Sequence, residues 1–239
     1  MMKRLMIAFQ LSMLLAGLAQ AQDANSISPV APLRNTPPGV DPALGVRLGH
    51  AIVVPLDDLP PGARTIALLD LADNQRGYSM VSEATIADAM HFERNLIPPG
   101  DPRVPDSTMK VMPERTGLAK MAFLGTVIDM MRDGQPVMAT RMFRRDDGVL
   151  VSVQEWQFAE AGGAIQNVRE LLNTRVGAHP GRLIVEHSSP GDLRRTVLSW
   201  NDGRTAYTLE VYDDVDSARA IAAGHGRDWL QQLAESLGT

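Results

Sequence analysis

The chain has 239 residues and a net charge of −5, with 23 Lys and Arg against 28 Asp and Glu. An acidic chain of this kind binds nucleic acid and anionic membranes poorly, because neutralising phosphates requires clustered Lys and Arg. The absence of cysteine excludes disulfides, thiol nucleophiles, cysteine-ligated zinc and iron–sulfur centres.

Residues 1–21 have the three-part pattern of a secretory signal peptide. Lys3 and Arg4 provide the positive start, residues 5–18 are mostly apolar, and Ala19-Gln20-Ala21 suits a signal peptidase. We expect cleavage after Ala21, which gives a periplasmic or secreted protein with a net charge of −7. The alternative is retention of this segment as an anchor, although a spanning helix needs roughly 20 apolar residues. No later stretch is long and apolar enough to span a membrane.

Residues 22–49 form the second region and are rich in proline, with Pro29, Pro32, Pro37, Pro38 and Pro42. Proline removes backbone donors and favours extended polyproline II, so we expect a semi-rigid, largely disordered spacer. The alternative is an ordinary frayed N-terminus.

Residues 50–105 are expected to form a small N-terminal α/β segment. The apolar runs at 51–56 and 64–71 are typical of buried strands, since turn residues bound both of them. Ser82 can cap a helix over residues 83–95, and four prolines in residues 97–107 predict a linker or long loop.

Residues 106–239 are expected to form the main domain. Three β-rich runs at 121–131, 137–144 and 149–158 are joined by RDGQ and RDDG, and Asp-Gly between apolar runs indicates hairpins. Apolar residues at helical spacing then predict a helix over residues 164–174.

Three more strands are predicted at residues 182–187, 193–200 and 204–212. A final helix is expected to begin at its cap, Asp216, and to end near Leu237. Gly224 and Gly226 each cost roughly 1 kcal/mol in a helix interior, so we expect a kink near His225.

The resulting order, β-β-β-α-β-β-β-α, predicts an α+β fold with a mainly antiparallel sheet of about six strands and helices packed on it. This order is similar to that of PsbP-like and lipoprotein-like α/β/α sandwiches. The similarity lies in element order alone, so no functional residue is transferred from it. Aligning Gly148 with Gly203 also places Glu155 on Glu210, which indicates either a duplicated unit or a coincidence between two Asp-Gly hairpins.

Two histidine motifs resemble parts of catalytic sites. His91-Phe92-Glu93 has the HxE spacing of zinc deaminases, which also need a downstream PCxxC that a cysteine-free chain lacks. His187-Ser188-Ser189 lacks the Gly-x-Ser-x-Gly elbow of a serine hydrolase. We therefore predict no catalytic role for either motif.

Methionine is concentrated between Met109 and Met142, a segment with seven of the nine that follow the signal peptide. Thioether clusters bind Cu(I) outside the cytoplasm, but methionine also fills irregular gaps in cores. Met109 and Met112 would face opposite ways on a strand, so we predict a packing role and no metal site.

Glu155 and Glu210 are the carboxylates that could form an acid/base pair of the glycosidase kind. We instead expect them to be solvated or paired with arginines on neighbouring strands, namely Arg141, Arg194 and Arg195.

We predict no catalytic, cofactor-binding or metal-binding residue and no cofactor. The sequence favours an exported, non-enzymatic protein, an envelope interaction or adaptor module whose partner is another envelope protein. The alternatives are a periplasmic inhibitor or immunity protein, a small-ligand carrier and, after these, a hydrolase with an unfamiliar site.

Overall fold

The computed structural model describes residues 40–41, 46–47, 49–90, 96–104 and 109–237. The predicted signal peptide, most of the predicted spacer, the motif at His91 and part of the predicted linker lie outside these residues. Among the described residues, no helix is both long enough and apolar enough to cross a membrane.

An eight-stranded sheet forms the centre of the protein. Its strands are β4 (Ser79–Ser82), β5 (Ala122–Arg132), β6 (Gln135–Arg144), β7 (Leu150–Trp156), β9 (Thr174–Val176), β10 (His179–Ser189), β11 (Arg194–Asn201) and β12 (Ala206–Val211). The order across the sheet is β4-β10-β11-β12-β7-β6-β5, and β9 pairs with the start of β10. The α+β class is confirmed, but the sheet has more strands than the predicted six and is mixed, because β4 runs parallel to β10.

Two small sheets and five α-helices complete the described structure. The small sheets pair β1 (Val40–Asp41) with β2 (Val46–Arg47), and β3 (Ala51–Val54) with β8 (Ile165–Val168). The helices are α1 (Pro61–Arg76), α2 (Glu83–Met90), α3 (Phe158–Ala161), α4 (Ala218–Ala222) and α5 (Arg227–Leu237).

The two faces of the large sheet are covered differently. We call one the core face; it carries Val151 and Val153 of β7 and Leu209 of β12, and it packs against Leu230 and Leu233 of α5. The opposite face carries Met142 and Tyr212, which pack against Ile86 of α2 near one end of the strands. Near the other end, Trp156 packs with Phe158 of α3 and Ile165 of β8. Each face therefore has its own apolar cluster.

The predicted strand at residues 64–71 is wrong, because this run lies inside helix α1. A short apolar run does not by itself distinguish a strand from a helix, and Leu68 and Leu69 are exposed, so the run lacks a helical period. The end signals decide the structure: Pro61 occupies the first turn, and Gly77 ends the helix with a φ of 89°. The strand predicted at residues 51–56 is confirmed over Ala51–Val54 as β3, but it is only partly buried, and Leu56 begins a 3-10 helix.

The predicted helix over residues 164–174 is also wrong. This segment forms β8, a 3-10 turn over Arg169–Leu171, and β9. β8 pairs in parallel with β3, so a partner about 110 residues earlier in the chain determines its conformation. The predicted order of elements fails here, and the similarity to PsbP-like sandwiches, which rested on that order, is not confirmed.

The remaining predicted elements lie close to their expected places. The six strands of the two predicted triplets correspond to β5, β6, β7, β10, β11 and β12. Helix α2 begins at Glu83, as predicted. The C-terminal helix is interrupted near His225, where Gly224 adopts a φ of 74°, so two helices form instead of one kinked helix. Its cap is Ser217, which accepts a hydrogen bond from the amide of Ala220, and not Asp216.

We expect Gly125→Ala to lower the free energy of unfolding by more than about 1 kcal/mol. Gly125 on β5 has a φ of 147°, and a Cβ there would lie 2.6 Å from the carbonyl oxygen of Ile97. Gly62→Ala in α1 is the matched control, since no atom lies within 4 Å of its Cβ position. Denaturant unfolding should show the control to be neutral or slightly stabilised; equal effects of both changes would contradict the close approach at Gly125.

Candidate ligand-binding cavity

A buried ion pair joins the two neighbouring strands β6 and β7 on the core face. Arg141 Nη2 lies 2.6 Å from Glu155 Oε1, and the side chains are 9% and 0% exposed. The sheet register places the two residues diagonally, because Arg141 is opposite Val153 and Glu155 is opposite Ala139. Of the two expectations for Glu155, solvation is wrong, since its side chain is fully buried, and pairing with one of the named arginines is confirmed.

The same pair holds the chain segment that crosses above it. Glu155 Oε2 accepts hydrogen bonds from the amides of Lys110 at 2.8 Å and Val111 at 3.1 Å. Arg141 Nη1 donates to the carbonyl oxygen of Val111 at 2.7 Å. Two side chains thus bind both the amide and the carbonyl of Val111, as a neighbouring strand would.

Burial raises the pKa of Glu155, while the Arg141 guanidinium and the two amide donors oppose this rise. Each oxygen of the Glu155 carboxylate accepts at least one hydrogen bond. Oε1 accepts from Arg141, and Oε2 accepts from the amides of Lys110 and Val111. This arrangement fits a structural ion pair better than a proton-transfer group.

A cavity of about 620 Å³ lies beside this contact, between the sheet and residues 98–104 and 109–121. Its walls are mainly apolar, with Met109, Met112, Leu118, Met121, Phe123 and Phe143 among the lining side chains. The polar lining comes from Asp101, Glu114, Thr126 and Arg141. Both the volume and this mixture, many apolar groups with a few polar ones, are typical of small-molecule sites.

Both ends of the wall-forming segment are attached to the sheet or to α5. Ile97 exchanges two backbone hydrogen bonds with Thr126 of β5, at 2.8 and 2.9 Å. At the other end, Leu118 is buried in the core cluster and the amide of Gly117 donates to Ser236 Oγ at 3.3 Å. The cavity is therefore bounded by fixed contacts on two sides.

The methionines divide between this cavity and other places. Met109 and Met112 line the same cavity, contrary to the expectation for a strand, because this segment is not a strand. Met142 packs on the opposite face, and Met130 and Met131 are exposed on β5. The described residues also contain no group of three or more His, Asp or Glu that could hold a metal ion.

Glu155 and Glu210 lie on opposite faces of the sheet and cannot act on one substrate. Glu155 is opposite Tyr207 and Glu210 is opposite Ser152, and residues 152 and 155 of one strand point to different sides. The alignment of Gly148 with Gly203 therefore matches residues from different faces and is not a structural equivalence of the two hairpins.

Glu210 belongs to a second buried network. Its oxygens accept from Arg195 Nη1 at 3.2 Å, Ser152 Oγ at 3.0 Å and Tyr212 Oη at 2.8 Å. Arg195 also donates to Glu186 at 2.6 Å. Of the arginines expected as possible partners of Glu210, Arg195 pairs with it, whereas Arg194 contacts Asp192 and Asp214 instead.

His187 and Ser188 do not come together as a nucleophile and its base, because successive residues of β10 point to opposite faces. The hydroxyl of Ser188 accepts from the amide of Leu193 at 2.9 Å. His187 stacks on Tyr78 with ring centroids 4.9 Å apart, and its Nε2 lies 3.4 Å from Asp214. These contacts connect β10 with the chain before β4 and with the end of β12.

A cluster around His225 was not predicted from the sequence. Its ring nitrogens lie 2.9 Å from Asp213 and 3.3 Å from Asp147, and the side chain is 2% exposed. Asp213 also pairs with Arg219 at 2.6 Å, and Asp147 pairs with Arg145 at 3.1 Å. The cluster joins the β6–β7 turn to the break between α4 and α5. In the sequence, the adjacent acidic residues Asp213 and Asp214 are the feature that could have indicated it.

Comparison with protein-family models, with curated proteins and with solved structures finds no match to this chain.

We expect Glu155→Gln to lower the free energy of unfolding by about 3–5 kcal/mol, because it removes the buried carboxylate that lies 2.6 Å from the Arg141 guanidinium. Glu114→Gln is the control, since Glu114 lines the same cavity but is exposed. Urea unfolding at pH 7 measures both. A small and equal effect of the two changes would show that the pair does not hold the segment at Val111.

The charge of Asp213 should contribute stability that is lost in acid. Burial raises the pKa of Asp213, but hydrogen bonds from His225 and Arg219 outweigh it, so its pKa lies below 3.8. The contribution is therefore present above pH 3.8 and disappears as the pH falls through the lower folded pKa.

Asp213→Asn should accordingly lower the free energy of unfolding by about 1.5–3 kcal/mol at pH 7, and by less at pH 3. Asp57→Asn is the control, because the Asp57 side chain is 91% exposed. Thermal unfolding of both variants across this pH range tests the expectation, and a loss at Asp213 that does not vary with pH would contradict it.

Proposed function

We propose that the mature protein is an exported, non-enzymatic binding protein that carries a small apolar ligand in the cavity beneath residues 98–104 and 109–121. The observation that supports this proposal is the cavity itself, with its volume of about 620 Å³ and its walls of methionine, leucine and phenylalanine. A carrier needs an apolar space of this kind and no catalytic group.

The polar groups at the cavity support binding more than catalysis. Arg141 is paired with Glu155 at 2.6 Å, and Asp101 is paired with Arg103 at 2.8 Å. A catalytic acid or base needs a free position toward its substrate. The hydrolase hypothesis therefore has less support than the carrier hypothesis.

Export is part of the proposal and rests on the pattern of residues 1–21. A protein that works outside the cytoplasm lacks ready access to ATP and nicotinamide cofactors, which also favours binding over metabolism. We further propose that another envelope protein is the partner that receives or supplies the ligand, so that the carrier also acts as an envelope interaction module. The inhibitor hypothesis has no comparable structural support.

Binding of a neutral fluorescent probe, N-phenyl-1-naphthylamine, to residues 22–239 tests the carrier hypothesis. We expect saturable binding of one probe per chain, and about tenfold weaker binding by Met112→Asp, because a carboxylate at the cavity wall replaces apolar contact with a group that must be desolvated. Met131→Asp is the matched control, since Met131 is 50% exposed against 48% for Met112 and does not line the cavity.

The control should bind the probe as the wild type does, and both variants should keep the wild-type thermal midpoint within a few degrees. Non-saturable binding, or equal loss of binding in both variants, would argue against a ligand in this cavity.

A further inference from the structure

The charges that line the cavity are unevenly compensated. Among the described lining residues, Arg141 is the one cation, and its Nη2 and Nη1 donate to Glu155 at 2.6 Å and to the Val111 carbonyl at 2.7 Å. A ligand anion that reached Arg141 would have to displace Glu155, a carboxylate with no exposed surface. The deepest positive charge is therefore already neutralised inside the protein.

The remaining charged lining is acidic. Asp101 is bound by Arg103, whose Nε and Nη2 lie 2.9 and 2.8 Å from its carboxylate oxygens. Glu114, an acidic side chain, also lines the cavity and is exposed. An anionic ligand would thus meet a like charge at Glu114 and no available counter-charge at Arg141.

From these two features we infer that the cavity selects an uncharged apolar ligand, of the class of long-chain alcohols and esters, and discriminates against a carboxylate of the same chain length. This inference rests on the proposed carrier function and concerns the selectivity of the same site. An apolar chain gains from the methionine and phenylalanine walls whatever its end group, whereas a carboxylate would be buried without a partner and lose that gain.

Displacement of bound N-phenyl-1-naphthylamine by 1-decanol and by decanoate at pH 8 tests the inference, because the two competitors have the same number of carbons and differ only in the end group, a neutral hydroxyl or a charged carboxylate. We expect 1-decanol to displace the probe at a concentration at least tenfold lower than decanoate. Stronger displacement by decanoate, or displacement by neither competitor from a cavity that binds the probe, would overturn the inference and leave the carrier function standing. Failure of the probe itself to bind would instead count against the carrier function.

Two substitutions make the test specific to the charges described. Glu114→Lys places a cation at an exposed position of the cavity lining and should reduce the preference for 1-decanol severalfold, because decanoate then meets an opposite charge. Glu160→Lys is the control, since Glu160 is exposed and lies outside the cavity lining. An unchanged preference in Glu114→Lys, or the same change in Glu160→Lys, would overturn the inference.

Discussion

The ion pair between Arg141 and Glu155 determines where the chain crosses the core face of the sheet. Burying two opposite charges is costly unless their remaining hydrogen-bonding positions are also satisfied. Here the backbone of Lys110 and Val111 binds Glu155 Oε2 and Arg141 Nη1, at distances between 2.7 and 3.1 Å. The pair and the crossing segment therefore require each other, and the cavity beside them exists because the segment is held at this place above the sheet.

Buried pairs of arginine and carboxylate constrain the register of the sheet on both of its faces. Arg141 and Glu155 are buried on the core face, while Arg195, Glu186 and Glu210 are buried on the opposite face. A shift of β6 or β11 by one residue would turn its arginine to the wrong side and leave the partner carboxylates buried without a counter-charge. Burial raises the pKa of Glu186, and the Arg195 guanidinium opposes this rise.

Local signals predicted the elements that local interactions form. The Asp-Gly turns predicted the hairpins of β5–β6–β7 and β11–β12, since positive φ values at Gly134, Gly148 and Gly203 are needed there. The error at residues 64–71 arose because the signals at the ends of helix α1 outweigh its apolar run. The error at residues 164–174 has a non-local cause. β8 is a strand because β3 pairs with it, and its own apolar spacing favours a helix. The cavity could not be predicted, because side chain–backbone bonds hold Val111 and leave no periodic pattern in residues 98–121.

The distribution of charge and methionine is the reason why we propose binding, and not catalysis, at this site. The sequence placed Met109 and Met112 on opposite sides of a strand, yet side chain–backbone bonds at Val111 bring both to one cavity wall. Thioether side chains are flexible and polarizable, so they adapt to ligands of differing shape without specific hydrogen bonds. Because Arg141 and Glu155 bind each other, the ligand selectivity that we propose for the cavity comes from shape, apolar area and the exclusion of charge. The buried ion pair thus stabilises the wall of the cavity and at the same time neutralises the one cation among its described lining residues.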